Sequence, residues 1–186
     1  MVIYPFIKNV NGRLMFCSGD LVFAGVKKLG KRALSHFCCR NNTNGNFTVS
    51  FPDLEEIGER AFDSGLAVSR CTSVSFPKLK IVRYQGFFRM FYQLSYFTQS
   101  TLEFPELTTV DANGFEEAFC YSSSITSIKF PKLNTVTLSS FYNMMRYHSY
   151  STVLHFPSDM QATVSSLNQY PTFGGSSSYI TCSFDL

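Results

Sequence analysis

The sequence predicts an α/β repeat solenoid, in which the chain coils repeatedly and each coil adds one short strand to a parallel sheet. Three observations indicate this fold. A seven-residue phrase recurs along the chain, polar and apolar residues alternate just before each copy, and the 186 residues include 20 Phe and 10 Tyr but no Trp. A core position that is filled by Phe in every repeat explains the aromatic bias, because a solenoid stacks equivalent side chains from successive coils.

The recurring phrase is an aromatic residue, Pro, any residue, an aliphatic residue, any two residues and a second aliphatic residue. Clear copies are FPDLEEI at 51–57, FPKLKIV at 76–82, FPELTTV at 104–110 and FPKLNTV at 130–136, with fainter copies beginning at 4, 23 and 156. Successive copies are 19, 28, 25, 28, 26 and 26 residues apart. All but the first spacing lie within the roughly 20–29 residues of leucine-rich repeats. Residues 1–157 are therefore predicted to form about seven coils of a right-handed solenoid of the leucine-rich-repeat type.

Each repeat has an inner pattern that predicts its local structure. An apolar residue stands two positions before the aromatic one, as Val49 does before Phe51, which is the period-two pattern of a short strand with one buried face. Pro then ends the strand because it has no N–H for the ladder. Further on, a small residue precedes a large apolar one, and another apolar residue follows four positions later, as in Gly114, Phe115 and Phe119. This spacing predicts a short helical or 3₁₀ turn on the other side of each coil, where the small residue lets neighbouring coils approach closely.

Residues 158–186 depart from the repeat and are predicted to form an irregular C-terminal capping segment of the same domain. A helix is predicted within 158–167, a Gly-rich turn at 174–175 and a last strand in the alternating run at 179–184. A repeat array needs such a cap because its last coil has no neighbour to cover its core.

The phrase at 51–57, followed by Gly-x-x-Ala-Phe at 58–62, resembles the BspA-like leucine-rich repeats, and the resemblance extends over roughly residues 1–157. Such repeats occur in surface and secreted proteins of gut and oral bacteria and of some parasites. The resemblance implies adhesion or protein binding at a cell surface or after secretion, without enzymatic activity. It implies no specific ligand and no functional residues that carry over to this chain.

Composition and charge disfavour several other classes of partner. A net charge of +3 is too small for the concentrated basic surface of a nucleic-acid-binding protein, and no run approaches the roughly 20 apolar residues of a membrane-spanning helix. The first residues do not resemble a signal peptide. Three alternatives therefore stay open beside the surface location that the resemblance implies: a cytoplasmic chain, a chain whose export signal has been removed, and a fragment of a longer protein.

The chain shows no catalytic or metal-binding motif, and no enzymatic activity, metal or cofactor is predicted. His36, His148 and His155 lie at no metal-ligand spacing, and the sequence has neither a phosphate-binding glycine loop nor a GxSxG motif. The six cysteines form no CxxC pair. Buried free thiols are therefore expected, with disulfides between adjacent coils as the alternative in an exported protein.

The outward side of the predicted sheet is the first candidate binding surface, since extended repeat arrays commonly bind through such faces. The candidate residues precede the aromatic position of each repeat by one or three positions and are Ser75, Thr101, Glu103, Ser127, Lys129 and His155. A cross-strand pair of Glu103 and Lys129, if it forms, would contribute only about 0.2–1 kcal/mol and would need no function. The alternative interpretation is a sheet face that is merely solvated.

Aromatic loops provide the second candidate surface, because tyrosine offers a large contact area at a low cost in entropy. The candidate residues are Tyr92, Tyr96, Tyr147 and Tyr150; the alternative is that these rings cover the loop side of the core. The basic run at 27–32 is expected to be solvated at a corner rather than to attract anionic polymers. The predicted function is non-catalytic binding of a protein or a glycan. A structural building block of a larger surface or phage-type assembly and an intracellular scaffold are the alternatives.

Overall fold

The computed structural model describes residues 2–3, 19–40, 45–122, 124–148, 150–167, 173–174 and 179–186. The chain forms a parallel β-solenoid of about six turns with very little helix, which confirms the predicted repeat fold. The copy of the phrase that begins at position 4 lies outside the described residues.

Each coil has three sides, and two of them carry short parallel strands. In chain order the strands are β1 (Val2–Ile3), β2 (Gly19–Val22), β3 (Lys28–Leu29), β4 (Phe47–Ser50), β5 (Glu56–Ile57), β6 (Cys71–Ser75), β7 (Ile81–Val82), β8 (Thr101–Glu103), β9 (Thr109–Val110), β10 (Ser127–Lys129), β11 (Thr135–Val136), β12 (Thr152–His155) and β13 (Ile180–Ser183). The first side holds two sheets, β1-β2-β4-β6 and β8-β10-β12-β13, and the second side holds β3-β5-β7-β9-β11. The predicted strands are those of the first side, each of which ends before the aromatic position of its repeat.

A break divides the sheet on the first side. The Val74 N–H of β6 donates to the side-chain Oε1 of Gln99 at 3.0 Å, so at this point a side chain replaces the next strand as hydrogen-bond acceptor. Residues of β6 and β8 consequently belong to different sheets.

Two rows of Phe rings stack along the solenoid and form the core. Successive rings of the first row lie 4.4–6.2 Å apart between centroids; its members are Phe23, Phe51, Phe76, Phe104, Phe130, Phe156 and Phe184. The second row has spacings of 4.9–5.8 Å and contains Phe62, Phe87, Phe115, Phe141 and Phe173. These spacings are close to the roughly 4.8 Å between neighbouring strands. A ring at the same position of every coil therefore stacks on its neighbours, which explains the Phe-rich composition.

The third side of each coil is built from hydrogen-bonded turns. We refer to the stack of these segments, residues 31–40, 59–68, 84–93, 112–121 and 138–147, as the turn ribbon. Alternate N–H groups bond in two ways: the Asp63 N–H donates to Arg60 O at 3.1 Å, whereas the Phe62 N–H donates to Gly86 O of the next coil at 3.0 Å. The predicted 3₁₀-type turns are thus present as single turns. They do not join into a helix because every second N–H is used between coils.

Left-handed residues recur at every fourth position of the turn ribbon. Arg60, Ser64 and Val68, for example, have φ values of 51°, 52° and 55°. This four-residue period, rather than a helical one, places Phe62 and Leu66 together in the core. Each left-handed non-glycine residue costs on the order of 1–3 kcal/mol, so the hydrogen bonds between coils and the buried rings are what hold this backbone in place.

Small residues allow the close approach that the sequence predicts. A Cβ atom at Gly114 would lie 2.6 Å from Val110 Cγ1, and one at Gly86 would lie 2.9 Å from Ile57 Cγ2. Ser140 occupies the equivalent position of the next coil, where its hydroxyl is buried and donates to the Val110 carbonyl at 2.7 Å. A larger side chain at this position would push the core apart.

The C-terminal cap covers the end of the solenoid. A 3₁₀ helix (Ser158–Met160) leads into helix α1 (Gln161–Leu167), both within the predicted helical segment. Strand β13 lies within the predicted run at 179–184 and pairs in parallel with β12. The Phe173 carbonyl accepts a hydrogen bond from the Met145 N–H at 2.7 Å. The cap therefore supplies the acceptor that a further coil would supply to the turn ribbon.

Candidate binding surfaces

The predicted sheet-face residues lie on four strands. Strand register aligns Glu103, Lys129 and His155 in one row across β8, β10 and β12, and it aligns Thr101 with Ser127 in another. Ser75 lies on β6, on the other side of the break in the sheet, and in the described strands no ladder pairing joins it to these rows. The structure thus brings together five of the six predicted residues.

The charges of the row do not pair with one another. Glu103 and Lys129 are register partners, yet in the described chain they form no salt bridge. In water, the electrostatic free energy of an exposed pair of this kind is too small to offset the entropy that two long side chains lose when they are fixed. His155 instead binds Asp185 of the cap, with 2.9 Å between Nδ1 and Oδ1. This hydrogen bond lowers the pKa of the Asp185 carboxyl.

The sheet face otherwise offers short polar side chains. Ser75, Thr101 and Glu103 are exposed, whereas Ser127 and Lys129 are half-buried. The Ser127 hydroxyl is buried and has no hydrogen-bond partner among the described residues. The row therefore presents little surface for a partner to cover.

A row of tyrosines runs along one edge of the turn ribbon. Tyr92, Tyr121 and Tyr147 lie on successive coils, with ring centroids 5.5 Å and 4.8 Å apart. Tyr121 and Tyr147 are 44% and 54% exposed. The structure thus brings two of the predicted loop tyrosines together through Tyr121, which the sequence analysis missed. Tyr121 and Tyr147 are 26 residues apart, which equals the spacing between the copies of the phrase at 104 and 130, and this is the signal that identifies them as neighbours.

Arginines hold this row in place. The Arg146 guanidinium lies 4.6 Å from the Tyr147 ring centroid, and that of Arg89 lies 6.0 Å from Tyr92. Glu117 stands between the two arginines, 2.6 Å from Arg89 Nε and 3.6 Å from Arg146 Nη1. The Arg89 guanidinium also lies 4.9 Å from the Phe88 ring centroid, and these cation–π contacts and ion pairs stabilise the positions of the rings. We name the tyrosine–arginine strip by its members, Arg89, Tyr92, Tyr121, Arg146 and Tyr147.

The other two predicted tyrosines lie apart from the strip. Tyr96 is 41% exposed and lies 4.0 Å beneath the Arg70 guanidinium. Tyr150 is 52% exposed and contacts His148, with 6.3 Å between ring centroids. Among the described residues, no ring contact joins either tyrosine to the strip.

Beside the strip, the turn ribbon contains a notch of about 270 Å³. It arises because the middle of three coils carries short side chains where the coils on either side carry long ones. The first coil contributes His36 and Arg40, the middle coil Ser64 and Val68, and the third coil Arg89 and Tyr92. Arg89 and Tyr92 belong to both the notch and the strip, so the two form one continuous surface.

Ion pairs between coils engage much of the basic charge on the second side and at the start of the turn ribbon. Glu56 lies 3.1 Å from Lys28 Nζ and 2.8 Å from Arg83 Nε, and Arg83 also lies 3.5 Å from Asp111. Lys31 binds Glu59 at 2.8 Å. The basic run at 27–32, expected to be merely solvated, is therefore partly neutralised by the next coil.

Three of the free thiols, two of them buried and that of Cys182 half-buried, are poorly suited to nucleophilic chemistry. Burial raises the pKa of Cys71 and of Cys120 to about 12 and that of Cys182 to about 11, so these thiols are protonated at neutral pH. Cys38 differs because it is disulfide-bonded. Free thiols and a disulfide, which the sequence left as alternatives, therefore both occur.

The described residues contain no group of three or more His, Cys, Asp or Glu side chains that could hold a metal ion. They also contain no helix of the length and apolarity needed to cross a membrane.

Fold and surfaces together define a parallel β-solenoid that presents an aromatic and cationic strip on its turn side. Comparison with protein-family models, with curated proteins and with solved structures finds no match to this chain.

Proposed function

We propose that this chain is a non-catalytic module that binds another macromolecule, a protein or a glycan, through the tyrosine–arginine strip. The observation that carries the proposal is the row of contacting tyrosine rings, in which Tyr121 and Tyr147 stay exposed although the same sequence buries almost every Phe it has in the described coils. Tyrosine and arginine are the residues most enriched at the energetic centres of interfaces.

The strip is better suited to binding than the sheet face. Its rings are held by one another and by Arg89 and Arg146, so a partner would meet a surface that is already ordered. Preorganisation of this kind reduces the entropy lost on association. The sheet face has short hydroxyl side chains, and its His155 is already engaged by Asp185.

Display at a cell surface or secretion is part of the proposal. The resemblance of the repeat phrase to BspA-like repeats supports it, and so does the disulfide at Cys38, since disulfides persist mainly in oxidising compartments. A chain that functions as an intracellular scaffold would instead be found reduced and in the cytosolic fraction.

The test is binding of the purified chain to arrayed extracellular-matrix proteins and glycans. A Tyr121→Ala/Tyr147→Ala variant should lose at least tenfold in affinity, because two interface tyrosines typically contribute about 1 kcal/mol or more each. Tyr121→Phe/Tyr147→Phe keeps the rings and should retain most of the binding. A Glu103→Ala/Lys129→Ala variant, with two substitutions on the sheet face, should bind as the parent does. If only the sheet-face variant loses binding, the binding site lies on the sheet face. If both alanine variants bind as tightly as the parent, neither surface is the binding site.

The second candidate function is a structural building block of a larger assembly. It is favoured by the ends of the sheets: β11 and β13 are end strands, and Leu138, which follows β11, is 56% exposed. An end strand offers unpaired backbone groups to another chain. Concentration-dependent association in sedimentation velocity, together with no ligand on the arrays, would favour this function over the first.

A further inference from the structure

We propose that the notch beside the tyrosine–arginine strip binds one anionic sugar residue of a glycan ligand, a sugar that carries a carboxylate or a sulfate group. This inference rests on the proposed function and adds the chemical class of the ligand. It follows from the shape of the notch, from its charge and from its continuity with the strip.

The shape limits what enters the notch. Its walls belong to coils two steps apart, which places their backbones roughly 10 Å from each other, and its volume is about 270 Å³. Pockets for whole drug-sized ligands span roughly 300–1,000 Å³. The notch therefore holds one small ring, and the remainder of a longer ligand must lie outside it.

The charge of the notch selects an anion. Arg40 is exposed and has no ion-pair partner among the described residues, and no acidic side chain lines the notch. Arg89, on the opposite wall, donates its Nε–H to Glu117, and this ion pair uses one of the five N–H donors of the guanidinium. Two arginines that face one small space favour a carboxylate or a sulfate, which accept charge-assisted hydrogen bonds.

The remaining surface suits a sugar ring better than an acidic side chain of a peptide. Tyr92 forms part of one wall and is half-buried, while Ala67 and Val68 provide apolar surface between the walls. Ser64 and His36 add polar groups. A pyranose has an apolar C–H face with hydroxyls around its rim, so it can cover the apolar surface and bond to the polar groups at the same time.

Continuity with the strip indicates a polymer rather than a free sugar. Arg89 and Tyr92 line the notch and also begin the row that continues through Tyr121 to Tyr147. A chain with one anionic residue in the notch would pass over the exposed rings of Tyr121 and Tyr147. The strip then supplies contact area and the notch supplies the selection for charge.

The experiment is isothermal titration of the full chain with four probes: trigalacturonate, a sulfated trisaccharide, neutral maltotriose and triglutamate. Val68→Tyr fills the notch with the side chain that Tyr121 and Tyr147 place at the same left-handed position of later coils, so the fold accommodates it. Arg40→Gln removes one charge. The matched control is Arg32→Gln, since Arg32 is an exposed left-handed arginine of the same coil that does not line the notch.

We expect one or both anionic trisaccharides to bind at least tenfold more tightly than maltotriose or triglutamate, and the preferred one identifies the anionic group. Val68→Tyr and Arg40→Gln should each weaken this binding tenfold or more, equivalent to about 1.4 kcal/mol, whereas Arg32→Gln should change it less than twofold.

Unchanged binding by Val68→Tyr, or triglutamate that binds as tightly as the sugars, overturns the inference. The inference fails and the proposed function stands if two results occur together. Neither anionic trisaccharide binds, and an arrayed protein binds the parent but not the Tyr121→Ala/Tyr147→Ala variant. If the tyrosine substitutions leave every interaction unchanged, the proposed function itself fails.

Discussion

Replacement of Phe104 by Ala tests whether the ring rows hold the solenoid together. Phe104 is fully buried. It lies 6.2 Å and 5.5 Å from Phe76 and Phe130 of its own row and 5.4 Å and 5.8 Å from Phe115 and Phe87 of the other. Its removal therefore leaves a void that four rings line.

The expected cost is about 3–5 kcal/mol, the range for large-to-small substitutions of buried Phe. We expect the upper part of this range because hydrogen bonds fix the spacing between coils, as from the Phe104 N–H to Lys129 O at 3.0 Å, so the void cannot collapse. Total stabilities of domains are about 5–15 kcal/mol. The substitution should therefore remove a large share of the stability.

Phe184→Ala is the matched control, since Phe184 ends the same row, is only partly buried and has one ring neighbour among the described residues, at 6.1 Å. Its loss should cost about 1 kcal/mol, in proportion to the smaller area that it buries. Urea unfolding followed by far-ultraviolet circular dichroism measures both changes, and equal m-values in parent and variants would justify the comparison. A cost for Phe104→Ala that is below 1 kcal/mol, or no larger than that for Phe184→Ala, would refute the role assigned to the rows.

Three further changes test the packing, the buried histidine and the ion pairs, each by urea unfolding. Gly114→Ala should cost about 1–3 kcal/mol because its Cβ would overlap the core, whereas Gly30→Ala, which meets no atom within 4 Å, should stay within about 0.5 kcal/mol; equal effects would contradict this account. Burial lowers the pKa of His148, so below about pH 6.5 the unfolded chain binds a proton that the folded chain does not, and stability should fall by up to about 1.4 kcal/mol per pH unit. His148→Gln should remove that slope, and a slope that persists would disprove the assignment. Glu56→Gln loses ion pairs to two neighbouring coils and should cost less than about 1 kcal/mol, with the difference shrinking in 1 M salt; a cost that is independent of salt would exclude the ion pairs as its cause.

Much of the fold follows from the repeat phrase. The strands before Pro52, Pro77, Pro105 and Pro131 lie where the alternation places them, because a strand that packs one face on a core must alternate. The cap strand was also predicted, but the recurring phrase ends with the copy at Phe156, and only the structure places the ring of Phe184 in the first row.

The turn side was predicted less well, for a physical reason. Apolar residues four apart, such as Phe62 and Leu66, fit a helix and a ribbon of four-residue turns equally well. What separates the two is whether alternate N–H groups bond within the coil or to the next one, as they do at Phe62 and Gly86. That choice depends on the neighbouring coil, which a local sequence window does not contain.

The candidate sites divide in the same way. The sequence by itself determined that this protein is a repeat array with a Phe core, and it selected Tyr92 and Tyr147, because composition and period are properties of the chain. Only the tertiary structure decided that Tyr121 joins them, that Asp185 engages His155 and that short side chains open a notch beside the strip. Contacts between coils depend on how 25–28 residues of intervening chain return to the same place, and stacking of the coils fixes that path.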